Sequence, residues 1–522
     1  MSTTAVGNLG GVASPETLAS HIGVSVLAMG GNAIDAAVAI GFALAVTFPS
    51  AGNIGGGGFL LYRHPSGRNV AIDFRETAPA MATSDMYLNA DGKVMSGDGG
   101  PVDGYRACGV PGSVAGFELA WMRYGSGRIS WSKLVDPAVQ LASGGFSMPH
   151  SLQRSLSLSM DRISTDRSFQ AMFLNKSIVG WQPQRTGTTI RQPRLGETLA
   201  RIRDRGAIDF YAGTTARLLA ADIERSGGML LSTDLAGYQA VRRKPLSGRF
   251  MDYQVLTMPP PSSGGIALLQ MLGMLELCHP LPAAYSPAYI HLVAQAMRRA
   301  FRDRSEYLGD ADFVDVPVDA LVSRHHIASL KQGLSVAMKV KTDDLPATRP
   351  LTGESEQTTH FTVIDREGGV VSTTYTLNGS YGAAVISENT GIILNNEMDD
   401  FSVKPGAPNM YGLVGGEANA IAPGKRMLSS MTPAILSKDG ELFMVVGTPG
   451  GSTIITSVFQ TILNVVDFKM SMQSAVNAKK FHHQWLPDQV DIEPNALDSV
   501  TIEKLKAKGY KITPRGAIGR VD

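Results

Sequence analysis

Thr358 lies where a polar, turn-rich segment is followed by β-forming residues, and its neighbours indicate nucleophilic chemistry. The polar, turn-rich segment 343–356 ends just before the tetrapeptide QTTH, in which Thr358 begins a run of β-forming residues. A threonine hydroxyl is a weak nucleophile unless a base adjoins it, and a newly exposed α-amine on the same residue is such a base. That amine has an ordinary pKa of about 7.7–8.0, so part of it is neutral at physiological pH. Cleavage between Gln357 and Thr358 would create this arrangement, although QTTH alone also fits an ordinary strand start.

The register of a predicted β-hairpin places a second threonine opposite the first. The segments THFTVI and VVSTTYTL flank the loop 365–369, whose glycines are typical of a hairpin turn. With the turn centred on the third residue of that loop, the antiparallel register pairs Thr358 with Thr376 and Ile364 with Val370. A slip of one residue would turn Thr376 to the other face of the sheet. The two hydroxyls therefore meet only in this register.

Other kinds of catalytic motif are missing from the sequence. There is no Walker A sequence, no HExxH and no GxSxG, and the glycines of 109–116 fit a turn before a helix better than a dinucleotide fingerprint. The His-His pairs at 325–326 and 482–483 lack partners at metal-ligand spacing. The two cysteines lie far apart, so they form neither a disulfide framework nor a CxxC pair. We therefore expect no metal and no cofactor.

The composition is typical of a large folded protein and not of a nucleic-acid binder. The 522 residues include 47 Lys and Arg against 46 Asp and Glu, which gives a formal net charge of +1. Hydrophobic residues make up 43 %, and such a content excludes wholesale disorder. General binding of nucleic acid needs a clustered basic surface, which a near-neutral balance does not favour. The 57 glycines indicate many places where the backbone turns tightly or approaches another group closely.

Local patterns predict the elements that would hold these groups. They predict helices over 15–29, 34–48, 266–277 and 453–466, and strands over 59–63 and 441–447. Asn32 is placed to cap the second of these helices, which is shorter than the roughly 20 residues that span a bilayer. The segment 343–356 is predicted to be a flexible, exposed connection. No repeat and no long linker divides the chain into independent domains.

Segments along nearly the whole chain resemble the γ-glutamyltranspeptidase family, also called glutathione hydrolases. The matching segments run in order from about residue 12 to about residue 515 and are GGNAIDAAVAIGFALAVTFPSAGNIGGGGF, AIDFRETAP, MPPPSSGG, DRSEYLGD, QTTHFTV, YTLN, GIILNNEMDDFS, PNMYGLVGGEANAIAP, RMLSSMTPAI, GTPGGSTIIT and FHHQWLPD. An ordered set of this length is far more specific than any single short motif.

The resemblance implies a fold and a maturation step. Members of the family are N-terminal nucleophile hydrolases of the α+β class, built as a four-layer αββα sandwich. Their proenzymes cut themselves before the threonine that matches Thr358, which implies a large subunit of residues 1–357 and a small subunit of residues 358–522 in one αββα domain. The Thr358 hydroxyl would attack the Gln357 carbonyl, and the resulting ester would hydrolyse. In the mature enzyme the same hydroxyl would attack a γ-glutamyl amide, with its own amine as base.

The resemblance also implies roles beside the nucleophile. Thr376 matches the family's second threonine, whose hydroxyl hydrogen-bonds the first. Gly450 and Gly451 match the oxyanion-hole positions, and backbone N–H groups ahead of a helix suit a developing negative charge. An ordinary turn with Ser452 as helix N-cap fits the same residues.

A further set of residues matches those with which the family binds the γ-glutamyl group. Its α-carboxylate needs cationic or hydrogen-bond-donating partners, and its α-ammonium needs anionic or accepting ones. The matches are Arg75, Ser429 and Ser430 for the carboxylate, Asn378, Glu397 and Asp400 for the amine, and Tyr411 for a lid loop. Each could otherwise be an ordinary surface or turn residue, with Arg75 and Glu76 a solvated pair. For an acyl group without an amine, the acidic pair would be left unpaired at a cost, which argues against a glutaryl substrate.

The expected activity is transfer of the γ-glutamyl group of glutathione or γ-glutamyl amides through an ester on Thr358. Expected partners are these donors, water, amino-acid or dipeptide acceptors, and the two subunits of one precursor, with no nucleic acid and no membrane. A cephalosporin or glutaryl acylase on the same fold is the alternative, and an unprocessed, non-catalytic binding protein is a third interpretation. No signal peptide is visible, which predicts a cytoplasmic protein, or a periplasmic or secreted one if the true start lies upstream.

Overall fold

A computed structural model describes residues 7–97, 99–332, 334 and 358–521 of the chain. The predicted flexible connection 343–356 and Gln357 lie outside the described residues. The helices are α1 (Thr17–Ala28), α2 (Ala33–Thr47), α3 (Ser113–Tyr124), α4 (Trp131–Gly144), α5 (His150–Leu158), α6 (Met160–Ile163), α7 (Arg167–Phe173), α8 (Pro193–Arg205), α9 (Ile208–Ala212), α10 (Thr214–Arg225), α11 (Ser232–Gly237), α12 (Gly264–Glu276), α13 (Pro287–Tyr307), α14 (Val318–Leu321), α15 (Arg324–Gln332), α16 (Thr453–Val466), α17 (Met472–Asn477) and α18 (Ser499–Ala507). The strands are β1 (Gly10–Ala13), β2 (Gly57–Arg63), β3 (Asn69–Phe74), β4 (Phe146–Ser147), β5 (Leu174–Ser177), β6 (Gly180–Pro183), β7 (Thr189–Ile190), β8 (Val241–Arg243), β9 (Leu246–Phe250), β10 (Tyr253–Thr257), β11 (Thr359–Asp365), β12 (Val370–Thr376), β13 (Ala434–Lys438), β14 (Glu441–Val446), β15 (Phe481–His482), β16 (Val490–Ile492) and β17 (Ile512–Pro514).

Two antiparallel sheets lie at the centre of this described part of the chain. The large sheet has the strand order β1–β11–β12–β2–β3–β8, and the small sheet has the order β14–β13–β10–β9. In the β11–β12 hairpin, Thr359 pairs with Tyr375 and Ile364 pairs with Val370. The predicted hairpin register is therefore confirmed.

Alternation along the strands divides the side chains of the large sheet between two cores. In β2, Leu60 and Tyr62 belong to the core that includes α2, α3 and α4, whereas Phe59 and Leu61 belong to an apolar layer shared with the small sheet. The other face of the small sheet packs against α12, α13 and α16. The order of layers is helix, sheet, sheet, helix, so the expected αββα sandwich of the α+β class is confirmed.

The predicted helices form with small shifts of their ends. Helix α2 is buried along its whole length and begins with a capping box in which Asn32 and Asp35 exchange side chain–backbone hydrogen bonds. Helix α12 begins two residues before the predicted start, because Ser262 Oγ accepts the Gly264 N–H at 3.1 Å. Helix α16 has the predicted bounds. Among the described residues, no helix is long and apolar enough to cross a membrane.

The run of four glycines before and within β2 is explained by close backbone approach. A Cβ atom at each position in turn would overlap a carbonyl oxygen, namely that of Ile393 for Gly55, Thr376 for Gly56, Phe74 for Gly57 and Thr374 for Gly58. Strand β2 lies directly beside β12, so these glycines allow the chain to pass close to the end of the strand that carries Thr376. Any side chain here would push the two strands apart.

Candidate active site

The two threonines of the hairpin meet at the start of β11. Thr358 Oγ1 donates a hydrogen bond to Thr376 Oγ1 at 3.3 Å, and both residues are buried. Thr376 Oγ1 also accepts the backbone N–H of Asn378 at 2.9 Å. The second hydroxyl is thereby held by the backbone on one side while it orients the first on the other.

The histidine nearest in sequence to Thr358 is not placed to act as its base. The ring nitrogens of His360 contact the hydroxyls of Thr374 at 2.8 Å and Thr362 at 3.2 Å. Burial lowers the pKa of His360 to about 3, so the ring is neutral. A base for Thr358 must come from elsewhere, and an α-amine on the same residue would satisfy that need.

Gly450 and Gly451 lie in the loop between β14 and α16, in the left-handed region with φ of 137° and 55°. Their carbonyl groups are tied to the helix, since Gly450 O accepts the Thr453 N–H at 3.0 Å and Gly451 O accepts the Ile454 N–H at 3.2 Å. Within the described residues, neither glycine N–H donates a hydrogen bond to the protein. Two free donors ahead of a helix N-terminus are suited to an oxyanion. Ser452 precedes α16, but its side chain makes no capping hydrogen bond.

Arg75 directly follows β3 and is completely buried, with acceptors around its guanidinium. Its Nη1 lies 2.6 Å from Glu397 Oε2 and 3.5 Å from Glu76 Oε2, and its Nη2 lies 2.5 Å from Asp400 Oδ2. Nε donates to Met427 O at 3.3 Å. The interpretation of Arg75 and Glu76 as a solvated surface pair is wrong, because both side chains have no exposed surface.

The charges around Arg75 do not balance within this cluster. Burial raises the pKa of Glu76 to about 8 against the opposing effect of Arg75, and burial likewise raises the pKa values of Glu397 and Asp400. One guanidinium cannot compensate three buried carboxylates, so the cluster favours a further cation or a bound proton. A substrate ammonium would supply such a cation.

The structure also corrects the argument that was made against a glutaryl substrate. Glu397 and Asp400 were expected to be unpaired without a substrate amine, yet both contact Arg75 in the absence of any ligand. The expectation was wrong because the contacts of one arginine with both acids join distant segments of the chain. What remains is an excess of acidic groups over cations, which a bound proton or a further cation would balance.

The serines expected to bind the carboxylate are held by the loop that precedes α12. Ser429 N–H donates to Pro261 O at 2.9 Å, and the Ser263 N–H donates to Ser429 O at 2.8 Å. Both Ser429 and Ser430 are buried. The Ser429 Oγ accepts the Met431 N–H at 3.1 Å and keeps its own proton to donate.

Tyr411 covers the site from the lid loop. Its hydroxyl donates to Asn378 O at 2.8 Å, and Gln484 Nε2 donates to Tyr411 O at 3.0 Å. Its ring lies against Gly451, where an added Cβ would stand 2.6 Å from Cε1. Asn378 itself has a φ of 72°, and its Nδ2 donates to Asn396 O at 3.0 Å. Tyr411 thus contacts both Asn378, which was predicted to hold the amine, and Gly451, which was predicted to bind the oxyanion.

A cavity of about 20 Å³ joins most of the predicted site residues. It is lined by Arg75, Thr358, Thr376, Asn378, Asp400, Tyr411, Ser429, Ser430, Met431, Gly451 and Ile454. Gly450 precedes the lining residue Gly451, and Glu397 contacts the lining residue Arg75 at 2.6 Å. Gln357 is outside the described residues. In the described chain, no three His, Cys, Asp or Glu side chains are grouped to hold a metal ion.

Three polar residues near Asp400 were missed by the sequence analysis. Asn409 Nδ2 donates to Asp400 Oδ1 at 3.1 Å, and Asp399 Oδ2 accepts the Met410 N–H at 3.0 Å. Arg304 of α13 is buried and its charge acts on Asp400. The segment DRSEYLGD contributed to the resemblance, but it assigned no role to Arg304.

The sandwich, with a threonine nucleophile candidate at the start of a central strand, defines an N-terminal nucleophile hydrolase. The family model described as Gamma-glutamyltranspeptidase matches residues 19–522. The chain therefore belongs to the γ-glutamyltranspeptidase family.

Relatives and solved structures agree with this assignment. The chain is 43 % identical over 512 residues to the glutathione hydrolase proenzyme of Escherichia coli K12, covering 98 % of this chain and 87 % of that one. It is 35 % identical over 523 residues to the Acylase ACY 1 proenzyme of Pseudomonas sp. V22, covering 99 % and 89 %. The γ-glutamyltranspeptidase structure of Helicobacter pylori matches with a TM-score of 0.59 at 41 % identity, over 64 % of this chain and 94 % of that chain. The cephalosporin acylase of Bacillus halodurans matches with a TM-score of 0.82 at 24 % identity, over 98 % and 91 %, and shows the fold alone.

Proposed function

We propose that this protein is a γ-glutamyltransferase and glutathione hydrolase that cuts its own chain before Thr358. The observation that carries the proposal is the single cavity that joins the Thr358 hydroxyl to Arg75 and Asp400. A reactive oxygen at one end and opposite charges at the other suit an acyl group whose far end is a zwitterion. Family membership and the proenzyme relatives support the same activity.

Maturation is proposed to begin with attack of the Thr358 hydroxyl on the carbonyl carbon of Gln357. The C–N bond breaks, an ester joins the two residues, and the freed nitrogen becomes the α-amine of Thr358. Water then hydrolyses the ester and leaves a carboxylate on Gln357. The fragments would be residues 1–357 and 358–522.

In the mature enzyme the α-amine of Thr358 takes the proton of the Thr358 hydroxyl as the oxygen attacks the γ-carbonyl of the donor. The N–H groups of Gly450 and Gly451 then stabilise the oxyanion, and the departing amine receives the proton. The γ-glutamyl ester on Thr358 is released by water or by the amine of an amino-acid or dipeptide acceptor. The Thr376 hydroxyl orients the nucleophile through its hydrogen bond.

The donor is proposed to bind with its α-carboxylate toward Arg75, Ser429 and Ser430 and its ammonium toward Asp400. The cavity is small and Tyr411 lines it, so donor binding is proposed to displace the Tyr411 side chain. Its hydroxyl would release Asn378 O in that step. Glutathione fits as donor because its γ-glutamyl end has this zwitterion.

Two assays test the proposal with the purified full chain. Denaturing electrophoresis is expected to show two fragments separated between Gln357 and Thr358, which mass spectrometry of the smaller fragment can verify. The enzyme is expected to release p-nitroaniline from γ-glutamyl-p-nitroanilide. An intact chain without this activity would contradict the proposal.

The acylase alternative is retained because one relative is named an acylase proenzyme. The three acidic groups around the one guanidinium of Arg75 favour a donor with an ammonium, and therefore γ-glutamyl over glutaryl. Faster release from glutaryl-p-nitroanilide than from γ-glutamyl-p-nitroanilide would reverse this preference. The cytoplasmic location favoured by the N-terminal sequence also stays a proposal, which cell fractionation tests.

A further inference from the structure

Two threonines beside the proposed oxyanion glycines have no part in the mechanism given so far. Thr448 precedes Gly450 and Gly451 in the loop after β14, and Thr453 follows them as the first residue of α16. Both threonines are buried, and neither lines the cavity. A buried hydroxyl needs a hydrogen-bond partner inside the protein, and each of these two finds a backbone carbonyl of the same loop.

The Thr448 hydroxyl holds the peptide group that carries the first proposed oxyanion donor. Its Oγ1 donates a hydrogen bond to Pro449 O at 2.8 Å. That carbonyl and the Gly450 N–H belong to one planar peptide group, in which they point in opposite directions. A hydroxyl that fixes the carbonyl therefore also fixes the direction of the N–H. It draws electron density toward the carbonyl oxygen as well, which makes the N–H a stronger donor.

Thr453 has the same relation to the second proposed donor. Its Oγ1 donates to Gly450 O at 2.7 Å, and its backbone N–H donates to the same oxygen at 3.0 Å. Gly450 O and the Gly451 N–H share a peptide group, so both contacts orient that N–H. Among the described residues, Pro449 O accepts from the Thr448 hydroxyl alone. The first donor therefore depends more on its threonine than the second does.

A separate segment of the chain holds the Thr448 hydroxyl in turn. Thr448 Oγ1 accepts the backbone N–H of Arg520 at 2.8 Å, so its own hydrogen is directed at Pro449 O. The preceding Gly519 has a φ of 71°, and a Cβ atom there would stand 2.8 Å from Thr448 Oγ1. A continuous row of hydrogen bonds thus runs from the Arg520 N–H to the peptide group of Gly450.

We propose that Thr448 and Thr453 are positioning residues that each orient and strengthen one of the two oxyanion donors. The inference rests on the proposed γ-glutamyl transfer and adds to it the groups that hold these donors ready. Donors fixed in advance need no reorganisation when negative charge develops on the substrate oxygen. Because that charge is present in the transition state and not in the bound donor, loss of either hydroxyl should lower kcat and not raise KM.

The main test is Thr448→Val, which keeps the shape of the side chain and removes its hydroxyl. For γ-glutamyl-p-nitroanilide, kcat is expected to fall about tenfold with little change in KM. Thr448→Ser keeps the hydroxyl and is expected to keep the wild-type kcat. The matched control is Thr198→Val, because the buried Thr198 hydroxyl also donates to a carbonyl, that of Thr390 at 2.8 Å, and accepts an N–H of Arg201 at 2.8 Å. This control loses the same kind of buried hydrogen bonds away from the site and should keep the wild-type kcat.

The second threonine is tested with Thr453→Val. Its backbone N–H still holds Gly450 O, so kcat is expected to fall only about threefold, again without a rise in KM. A larger loss of kcat than in Thr448→Val would contradict the assignment of the two threonines to separate donors.

Gly519→Ala tests the same row of hydrogen bonds from its other end and remains available if Thr448→Val does not fold. The new Cβ would displace the Arg520 N–H from Thr448, so kcat should fall while KM stays unchanged. Gly187→Ala, at a φ of 86° in open space, is its control. Since both changes act through one hydroxyl, the double variant Gly519→Ala/Thr448→Val should have the kcat of Thr448→Val alone.

The inference and the proposed function fail in different ways. If wild-type enzyme releases no p-nitroaniline, the proposed function is wrong and this inference is wrong with it. If wild type is active, only the role of Thr448 is overturned by a wild-type kcat in a folded and cleaved Thr448→Val or Gly519→Ala. A loss of kcat in Thr448→Ser as large as in Thr448→Val would overturn it too, because the hydroxyl is then not the group that matters.

Discussion

The two ends of the cavity are built by different means. The reacting end, comprising Thr358, Thr376, Gly450 and Gly451, consists of hydroxyls and backbone groups and carries no charged side chain. The recognition end is a cluster of charged side chains, of which Arg75, Glu76, Glu397 and Arg304 are buried and Asp400 is partly buried. The hairpin and one loop supply the reacting end, whereas the recognition end is assembled from segments far apart in the chain.

This difference determines what each end controls. At the reacting end the hydrogen-bonded register of β11 and β12 fixes positions, so a substitution there acts on the chemical step. At the recognition end, under the proposed function, the balance of charge would decide which donor binds and at which pH. Substitutions at the reacting end should change kcat, and substitutions at the recognition end should change KM and the pH profile.

The largest effect is expected from loss of the proposed nucleophile. Thr358→Ala should lower the rate of p-nitroaniline release by roughly 1,000-fold or more and leave the chain uncut, because no other hydroxyl takes its place. Thr359→Val is the matched control, since the buried Thr359 hydroxyl has no hydrogen bond among the described residues. Electrophoresis and initial rates measure both variants. A cut Thr358→Ala chain would contradict the assignment.

A substitution at the proposed oxyanion site should act almost as strongly. In Gly451→Ala the new Cβ meets the Tyr411 ring at a backbone φ of 55°, so the loop must shift and misplace its N–H groups. Loss of one oxyanion donor costs about 100- to 1,000-fold in kcat, and we expect that range. Gly440→Ala has a φ of 84° in open space and serves as control. A wild-type kcat in Gly451→Ala, from steady-state kinetics, would remove Gly451 from the site.

At the recognition end Asp400→Asn should produce a smaller effect on a different parameter. Loss of the charge facing the donor ammonium is expected to lower kcat/KM for γ-glutamyl-p-nitroanilide about 30-fold, or about 2 kcal/mol, mainly through KM. Turnover of glutaryl-p-nitroanilide should be unaffected or improved. Asp252→Asn, whose side chain is 76 % exposed, is the control. Equal losses on both anilides would mean that Asp400 does not recognise the ammonium.

The last expected effect is on stability and not on activity. Burial raises the pKa of Asp399 to about 8 in the folded protein, so its protonated form is favoured. Its contribution to stability is full below the unfolded pKa of about 3.9 and is lost as pH rises through the folded value. Tm, measured by calorimetry, should therefore fall between about pH 4 and about pH 8 in wild type, and less so in Asp399→Asn. The exposed Asp91→Asn is the control, and identical Tm profiles of the two variants would refute the effect.

The sequence predicted the reacting end better than the recognition end for a physical reason. The Thr358–Thr376 pair follows from counting along one short hairpin, and the apolar pattern located both ends of α16. The contact of Arg75 with Asp400 joins residues 325 positions apart, which no spacing rule reaches. Glu397, which was predicted to face the donor amine, contacts Arg75 Nη1 at 2.6 Å and is not among the residues that line the cavity.

Some contributions became visible only with the tertiary structure. The hydrophobic pattern of α13 predicts which residues are buried but does not identify their charged neighbours. The electrostatic effect of Arg304 on Asp400 therefore depends on how α13 packs. The sequence shows four consecutive glycines at 55–58 but not why glycine is needed there. The structure shows that a Cβ at each position would overlap a carbonyl oxygen from one of three other segments. Such requirements come from neighbours in space.

The strand order of the two sheets has a consequence for a chain cut before Thr358. Strands β11 and β12, from the downstream piece, lie between β1 and β2 of the upstream piece, and β13 pairs with β10 in the small sheet. Strands of the two pieces would alternate within the sheets, so separating the pieces would break backbone hydrogen bonds in both sheets at once. Cleavage would then create the α-amine of Thr358 while both sheets stay intact. The mature enzyme would therefore keep a fold that formed in the uncut precursor.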